Sequence, residues 1–166
     1  MLARGPQVML GYLDLSAINE RIIDADGWFH TGDRGALDAS GRLRIMGRIK
    51  DLLVLATGKK VAPAPIERAL LASPLIGQAV VVGDAGDAVG VLIVPVGTGD
   101  LAQLHQEVER LTADLAAYER PRRVALLPRA LSAVDGELDA TGAPRRDTIL
   151  AHFPDQAAAL SGSSNS

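Results

Sequence analysis

The segment Asp26-Gly-Trp-Phe-His-Thr-Gly-Asp33 places a carboxylate directly after a Thr-Gly turn. A glycine at such a turn lets a ligand come close to the backbone. A carboxylate there can accept hydrogen bonds from two vicinal hydroxyls. Thr-Gly-Asp is also a common turn in which the acid caps its own loop. The segment therefore predicts either a hydroxyl-binding acid at Asp33 or a plain structural turn.

A cationic segment, Gly47-Arg-Ile-Lys-Asp51, follows a predicted strand. The guanidinium of Arg48 carries five donors in a fixed fork, which suits hydroxyl or phosphate oxygens. The alternative is an exposed basic turn with a surface ion pair, which stabilises little.

The turn Thr57-Gly-Lys-Lys60 presents two cations between two apolar segments. It is not a nucleotide P-loop, because the glycine spacing before Gly-Lys is absent and Lys60 stands where Ser or Thr would be needed. By composition, the segment predicts a tight basic turn.

The histidines and large aromatic residues are predicted to be structural. His30, His105 and His152 lie far apart without the helical spacing of metal ligands, so no metal site is predicted. Trp28 and Phe29 are predicted core residues that support the turn before Asp33.

Composition limits the possible function classes. With 166 residues, 48% of them apolar, the chain is long enough for one domain, or for a small domain plus a piece of another. The formal charge of -3 supplies no global field that recruits nucleic acid or anionic lipid. The absence of Cys excludes disulfides, thiolate nucleophiles and Cys-based zinc sites, and it fits a reducing compartment. We therefore expect a cytoplasmic protein.

Hydrophobic periodicity predicts the elements that must position these residues. Short strands are predicted in residues 1–47, with a hairpin turn at Asp38-Ala-Ser-Gly41. Later strands are predicted at 52–55, 79–82, 89–96 and 124–127, the middle two linked by a turn at 83–87. A helix is predicted at 63–73. A second is predicted to begin at Asp100, to carry an apolar stripe as far as Tyr118, and to end at Pro121. A third is predicted to begin at Pro144 and to bury Ile149, Leu150 and Phe153.

The alternation of strand and helix predicts an α+β fold, with a small mixed sheet backed by helices over residues 48–159. Residues 1–47 are expected to be a β-rich piece of a larger domain. Residues 160–166 are expected to be a disordered tail, because Ser161-Gly-Ser-Ser-Asn-Ser166 has no apolar side chain to bury. The amino terminus lacks a signal-peptide pattern, so it is expected to start inside a larger fold. The longest strongly apolar stretch, 89–96, is far below the roughly 20 residues that cross a bilayer as a helix.

Taken together, the order and spacing of these motifs resemble the adenylate-forming superfamily of acyl-CoA synthetases, luciferases and peptide-synthetase adenylation domains. The resemblance covers nearly the whole chain. Asp26 to Asp33 resembles the DGWxxTGD motif, Gly47 to Asp51 the hinge motif, and Gly58 to Glu67 the loop and helix that follow. The ending Val61-Ala-Pro-Ala-Pro-Ile-Glu67, with the segments 118–128 and 135–142, resembles most the long-chain fatty-acid–CoA ligase branch.

The resemblance implies the C-terminal lid domain of such an enzyme, preceded by a short β-rich piece of its large domain. Members of the family join a carboxylate to ATP with Mg²⁺, release pyrophosphate, and then pass the acyl group to CoA. By resemblance, Asp33 and Arg48 bind the ribose of ATP. The C-terminal lid domain rotates between the two half-reactions, and the resemblance implies that Lys50 is the hinge of this rotation. Gly58 is implied to lie where the pantetheine arm of CoA passes.

The resemblance also implies partners that this segment lacks. The family's phosphate loop and fatty-acid pocket belong to the large amino-terminal domain, and no such segment occurs here. The implied partners are therefore that domain, a fatty acid and CoA. Alone, the chain is expected to be inactive or nearly so, because one wall of a site cannot offset the cost of immobilising a ligand.

One position departs from the family pattern. Where the family pattern LTATxKxRR has a lysine that contacts the carboxylate and α-phosphate, this chain has Ala143 within Leu138-Asp-Ala-Thr-Gly-Ala-Pro-Arg-Arg146. No catalytic residue is therefore assigned. A preorganised charge is commonly worth about 10²- to 10³-fold in rate, so adenylation is expected to suffer most. Arg145 cannot copy the ammonium contact simply by being nearby.

Two functions stay open: a part of a long-chain fatty-acid–CoA ligase, or a catalytically degenerate interaction module of the same fold. Glu67 is predicted to lie on a helix face without a catalytic duty. A nucleic-acid role lacks aromatic residues for base stacking, since aromatic residues make up only 3% of the chain. The arginines that such a role would use are predicted to lie on solvated surface, with contact to CoA phosphates as the alternative: Arg120, Arg122, Arg123, Arg145 and Arg146.

Overall fold

The computed structural model describes residues 1–83 and 88–161. The chain divides into two compact units, Met1–Asp51 and a second unit that begins at Leu52. The sequence-based boundary lay at Gly47. The first unit runs four residues further (51 minus 47), because its last strand continues through Arg48 and a 3₁₀ helix, Ile49–Asp51, follows directly.

The first unit consists of two small antiparallel strand pairs and one helix. Strands β1 (Leu2–Ala3) and β2 (Phe29–His30) pair with each other, as do β3 (Asp33–Leu37) and β4 (Leu43–Arg48). Helix α1 (Ser16–Ile22) was not predicted. The Asp38 to Gly41 turn joins β3 to β4 as predicted, with the Gly41 N–H donating to the Asp38 carbonyl at 2.9 Å.

The second unit begins with a short antiparallel pair, β5 (Leu53–Val54) and β6 (Lys60–Val61), followed by helix α2 (Pro63–Leu70). Strands β7 (Ile76–Gly83), β8 (Val89–Pro95) and β9 (Pro121–Leu126) form a three-stranded sheet in that order. The pair β7/β8 is antiparallel and the pair β8/β9 is parallel. Helix α3 (Leu101–Thr112) precedes β9, and α4 (Arg146–His152) and α5 (Pro154–Ser161) end the described chain. This mixed sheet with helices confirms the predicted fold class.

Helices cover both faces of the three-stranded sheet. One set of sheet residues, including Val81 and Val91, packs with apolar side chains of α2 and α3. The alternate set, including Val80 and Leu92, packs with those of α4 and α5. Because successive side chains of a strand point to opposite faces, β7 and β8 read as continuous apolar runs. Each fully buried aliphatic side chain contributes about 1.5–3 kcal/mol, so this core is the main source of stability.

The structure corrects the predicted course of the chain between Asp100 and Leu127. Helix α3 ends at Thr112 instead of reaching Pro121, although Leu115 and Tyr118 still pack against the core. Pro121 is the first residue of β9 and does not end a helix. Proline is tolerated at the first position of a strand, so its presence did not identify which element it bounded.

The end of the chain also differs from the prediction. One helix was predicted from Pro144 onward, whereas the structure has two, α4 from Arg146 and α5 from Pro154, a residue type that is favoured in a first helical turn. The predicted tail began at residue 160, yet Leu160 is buried and a Cβ on Gly90 would lie 3.1–3.3 Å from its side chain. Residues 84–87 of the predicted turn and residues 162–166 of the predicted tail lie outside the described residues.

Candidate functional site

The structure brings Asp33 and Arg48 together. Asp33 is the first residue of β3 and Arg48 the last of β4, and the two are directly opposite each other in the strand register. Arg48 Nε lies 3.5 Å from Asp33 Oδ1. The Asp33 side chain is 28% exposed and that of Arg48 is 59% exposed, so both can be reached from solvent. The hairpin therefore presents an acceptor-only carboxylate beside a donor-only guanidinium.

Local hydrogen bonds hold the loop that leads into Asp33. The Asp33 N–H donates to Thr31 Oγ1 at 3.1 Å, and the Thr31 hydroxyl donates to the Met1 carbonyl at 3.1 Å. Earlier in the segment, Asp24 accepts from the N–H groups of Trp28 and Asp26 at 2.9 and 3.1 Å. The Trp28 bond is the main cause that lowers the pKa of Asp24. Trp28 itself is half-buried, with the Arg4 guanidinium 4.6 Å from its ring centre.

Lys50 and Gly58 lie in short connections. Lys50 is the middle residue of the 3₁₀ helix Ile49–Asp51 and is exposed, one residue before the end of the first unit. Gly58 lies in the turn between β5 and β6, where its φ of +76° favours glycine. A Cβ added there would meet no described atom within 4 Å. Within the described part of the chain, backbone conformation is therefore the reason for a glycine at this position.

Ala143 is exposed and ends a five-residue turn built on Asp139. The carboxylate Oδ1 of Asp139 accepts from Thr141 N at 2.8 Å, Thr141 Oγ1 at 2.6 Å and Ala143 N at 3.0 Å. The bond from the Thr141 hydroxyl is the largest of the causes that lower the pKa of Asp139. The Asp139 N–H in turn donates to the Ala143 carbonyl at 2.9 Å. The turn is thus complete without any side chain beyond Cβ at position 143.

The same turn occurs in the β3–β4 hairpin, where the sequence is Asp38-Ala-Ser-Gly-Arg42. Asp38 Oδ1 accepts from Ser40 N at 2.9 Å, Ser40 Oγ at 2.6 Å and Arg42 N at 3.0 Å. At the fifth position, Arg42 Nε donates to Ser40 Oγ at 2.8 Å. The fifth position of this turn therefore accepts a long cationic side chain without losing the hydrogen-bond pattern.

Two buried glutamates hold hydrogen-bond networks that were not predicted from the sequence. Glu67, on α2, accepts from Val81 N at 2.9 Å and forms a close ion pair with Arg146, whose Nε also donates to the Val81 carbonyl at 2.9 Å. The prediction that Arg146 lies on solvated surface is therefore wrong. A carboxylate between Ile66 and the other apolar positions of α2 was the signal that a buried partner existed.

Glu137 is the second of these residues and is fully buried. Its two oxygens accept from Arg129 Nη1 and Nη2 at 2.9 and 2.7 Å, and one also accepts from Ser132 N at 2.9 Å. His152 Nδ1 lies 2.9 Å from the other oxygen. The Arg129 bonds outweigh burial and lower the pKa of Glu137 to about 2. No periodic pattern surrounds Glu137, so the sequence carried no signal for this network.

The structure does not bring the remaining candidates into one site. Among residues 1–83 and 88–161, no group of three or more His, Asp or Glu side chains is arranged to hold a metal ion. Arg123 Nη1 donates to the Leu160 carbonyl and Arg120 Nε to the Leu115 carbonyl, both at 2.8 Å. In the same described ranges, no helix is long and apolar enough to cross a membrane.

Known proteins similar to this chain include two long-chain-fatty-acid–CoA ligases. The chain is 36% identical to the long-chain-fatty-acid–CoA ligase FadD15 of Mycobacterium tuberculosis, over 92% of this chain and 29% of the relative. It is 31% identical to the mouse long-chain-fatty-acid–CoA ligase ACSBG1, over 91% of this chain and 27% of the relative. The chain thus spans less than a third of the length of these curated relatives.

Solved structures show the same fold. The adenylation domain of a carboxylate reductase from Mycobacterium chelonae superposes with a TM-score of 0.78 and 25% identity, over 91% of this chain and 26% of that domain. The O-succinylbenzoate coenzyme A synthetase of Bacillus subtilis, in complex with AMP, superposes with a TM-score of 0.70 and 27% identity, over 88% of this chain and 28% of that one. The model of the AMP-binding enzyme C-terminal domain matches residues 50–157. The chain therefore belongs to the family of AMP-binding enzyme C-terminal domains.

Proposed function

We propose that the chain is the C-terminal part of a long-chain fatty-acid–CoA ligase, which activates a carboxylate with ATP and transfers the acyl group to CoA. The observation that carries the proposal is the Asp33–Arg48 pair at the end of the β3–β4 hairpin, 3.5 Å apart and open to solvent. The similarity to FadD15 over 92% of the chain supports the substrate class.

In this proposal, Asp33 and Arg48 bind the ribose of ATP or AMP. A vicinal diol can donate both hydroxyl protons to a carboxylate while its oxygens accept from a guanidinium. The opposed strand register fixes the separation of the two side chains before the nucleotide arrives. Such a pair positions the sugar and takes no part in bond making.

Lys50 and Gly58 take supporting roles. We assign Lys50 as the hinge about which the lid domain rotates between the two half-reactions, since hinges lie at element boundaries that absorb a backbone change. Its place in a three-residue 3₁₀ helix at the end of the first unit supports that role. Gly58 marks the turn past which the pantetheine arm of CoA would run.

The first unit requires a covering partner, which we propose to be the large amino-terminal domain of the same enzyme. Within Met1–Asp51, all of which the structure describes, no residue is buried. Many of its apolar side chains are instead exposed, among them Met9, Leu10, Tyr12, Leu13, Leu15, Ile18, Leu37, Leu43 and Ile45. An exposed apolar surface of this extent marks an interaction site.

The described residues do not fit a metal centre of their own, so we assign no metal ligand to this chain. Mg²⁺ enters the proposal only as the counter-ion of ATP. The cysteine-free chain is compatible with a reducing compartment, and we propose the cytoplasm as its location.

The experiment that tests the proposal is a chimera in which this chain replaces the matching C-terminal segment of FadD15. With Ala143, the FadD15 chimera should accept preformed palmitoyl-AMP and CoA but release little pyrophosphate from ATP and palmitate. Ala143→Lys should raise pyrophosphate release by about 10²- to 10³-fold, because the turn accepts a cation at its fifth position. A chimera that folds yet forms no palmitoyl-CoA from palmitoyl-AMP, and gains nothing from the lysine, would falsify the proposal.

A second candidate is an interaction module that keeps the fold without the chemistry. Ala143 favours it, because the Asp139 turn places no cation at that position. This candidate predicts a protein partner whose binding does not change with ATP or CoA. Nucleotide-dependent binding, or activity of the Ala143→Lys chimera, decides against it.

A further inference from the structure

We propose that Glu137 is a positioning residue for residue 143. Its buried carboxylate fixes both ends of the loop 138–144, and so determines where the side chain at position 143 lies. The catalytic meaning of this inference rests on the proposed function, because position 143 matters to the reaction only in an acyl-CoA ligase. The positioning itself does not depend on it.

Glu137 joins segments on both sides of the loop. Arg129 and Ser132 lie before the loop, and His152 lies after it on α4. Arg129 is held in addition by its own bond to the Ala130 carbonyl at 3.0 Å and by the Phe153 ring, whose centre lies 5.0 Å away. Bidentate bonds between a guanidinium and a carboxylate fix orientation as well as distance.

The backbone of Glu137 closes the base of the loop. Arg145 N donates to the Glu137 carbonyl at 2.7 Å, and Glu137 N donates to the Ser132 carbonyl at 3.0 Å. One residue further, Leu138 and Pro144 form an antiparallel bridge. The two ends of the loop therefore meet at Glu137.

The tip of the loop is rigid by its own contacts. Within residues 139–143, the Asp139 carboxylate accepts three hydrogen bonds, its carbonyl accepts one from Gly142 N, and its N–H donates one to the Ala143 carbonyl. A rigid tip on an anchored base transmits any shift of the base to position 143. A shift of 1 Å in a group near the reacting atoms can cost about 10²-fold in rate.

Glu137→Gln tests the inference because a neutral amide cannot accept the bonds of both Arg129 nitrogens, Ser132 and His152. The chain has no Cys, so pairs of spin labels can be placed at engineered cysteines without background. One pair joins position 143 to Arg68 on α2, and a reference pair joins Ala102 on α3 to Arg68; all three positions are exposed. We expect Glu137→Gln to widen the 143–68 distance distribution roughly twofold and to leave the 102–68 distribution unchanged.

A matched control is Glu107→Gln. Glu107 also receives two bonds from an arginine, Arg110, both at 2.8 Å, and its pKa is also lowered to about 2 by that arginine. Glu107 lies on α3, and its hydrogen bonds to Arg110 involve no residue of the loop 138–144, so its loss should leave the 143–68 distribution unchanged. Should Glu137→Gln fail to fold, Arg129→Lys keeps the charge but loses the bidentate contact, and it should widen the 143–68 distribution alone.

The inference is wrong if Glu137→Gln leaves the 143–68 distribution as narrow as in the unmodified chain, or if it widens both distributions equally. In the FadD15 chimera with Ala143→Lys, Glu137→Gln should lower kcat of adenylation roughly 10- to 100-fold with little change in KM for ATP. An unchanged kcat would also overturn it. The spin-label arm needs no substrate, so it reports on Glu137 even if the chimera shows that the proposed function is wrong.

Discussion

The pair of Asp33 and Arg48 shows how two side chains become a candidate site through strand register. At 3.5 Å, the contact is longer than a strong charged hydrogen bond, and more than half of the Arg48 side chain is exposed. An exposed pair of this kind stabilises the fold little, which fits the proposed role of the pair in binding a ligand. A sugar hydroxyl can enter the contact without breaking a buried network.

Asp33→Asn in the FadD15 chimera tests this role. The amide can accept only at one oxygen and carries no charge, and a hydrogen bond to a charged group is worth about 1.5–3 kcal/mol. We therefore expect KM for ATP to rise roughly tenfold or more, and the preference for ATP over 2′,3′-dideoxy-ATP to shrink. The measurement is steady-state pyrophosphate release with each nucleotide.

Asp38→Asn is the matched control for Asp33→Asn. Asp38 lies in the same hairpin, at the opposite end, and its carboxylate is occupied by the turn bonds to Ser40 and Arg42. It should leave KM for ATP unchanged. Equal effects of the two substitutions would mean that hairpin integrity, and not a contact from Asp33 to ribose, determines nucleotide use.

For individual residues, the sequence predicted the Asp33–Arg48 pair but not the buried hydrogen-bond networks of the glutamates. Asp33 and Arg48 stand in contiguous motifs whose residue types reveal their chemistry. Glu67 and Arg146 are 79 positions apart, and nothing local to either identifies the other. The partner of a buried charged side chain can be identified only when the surrounding elements are assembled, which is why Arg146 was wrongly predicted to be solvated.

Three elements of the second unit meet at Glu67. Helix α2 supplies the carboxylate, β7 supplies the N–H and carbonyl of Val81, and α4 supplies Arg146 at its first residue. Glu67 is 8% exposed, and the Arg146 side chain 17%. The contact therefore links helices on the two opposite faces of the sheet.

Glu67→Gln should lower the free energy of unfolding by roughly 3 kcal/mol, because removing one partner leaves the other charge buried. Urea denaturation followed by circular dichroism measures the change. Glu109→Gln, at an exposed carboxylate on α3, is the control and should change stability by less than about 0.5 kcal/mol. A loss from Glu67→Gln no larger than the control would mean that this contact does not hold the elements together.

The elements themselves were predictable to the extent that they are periodic. Strands β7 and β8 and helix α2 carry regular apolar patterns, and they occur close to the predicted positions. The predicted end of α3 relied on Pro121, and α5 begins at Pro154, but proline permits both the start and the end of an element. Tertiary packing of Leu115 and Leu160 decided those boundaries, and packing is not visible in a local pattern.

Stability is distributed unevenly over the whole molecule. All the fully buried apolar residues of the described chain belong to the second unit, between Leu55 and Leu160. The first unit contributes 51 residues without a buried side chain. Since burial of apolar surface is the main favourable term in folding, the two units should differ sharply in their ability to fold alone.

Separate expression of residues 52–166 and residues 1–51 tests this difference. The longer fragment should unfold cooperatively, with a midpoint close to that of the second unit in the full chain. The shorter fragment should show no cooperative thermal transition by circular dichroism. A cooperative transition for residues 1–51 alone would contradict the expectation and would remove the need for a covering partner.

The uncovered first unit has a consequence for turnover in the cell. Quality-control proteases cleave chains whose backbone is not protected by a packed core, and chaperones retain those that display apolar side chains. A polypeptide made without its cover would be attacked first within residues 1–51, while the sheet and helices of the second unit should resist digestion. The abundance of this chain would then depend on the amount of the partner that covers the first unit. Its half-life would show how much of the chain is bound to that partner.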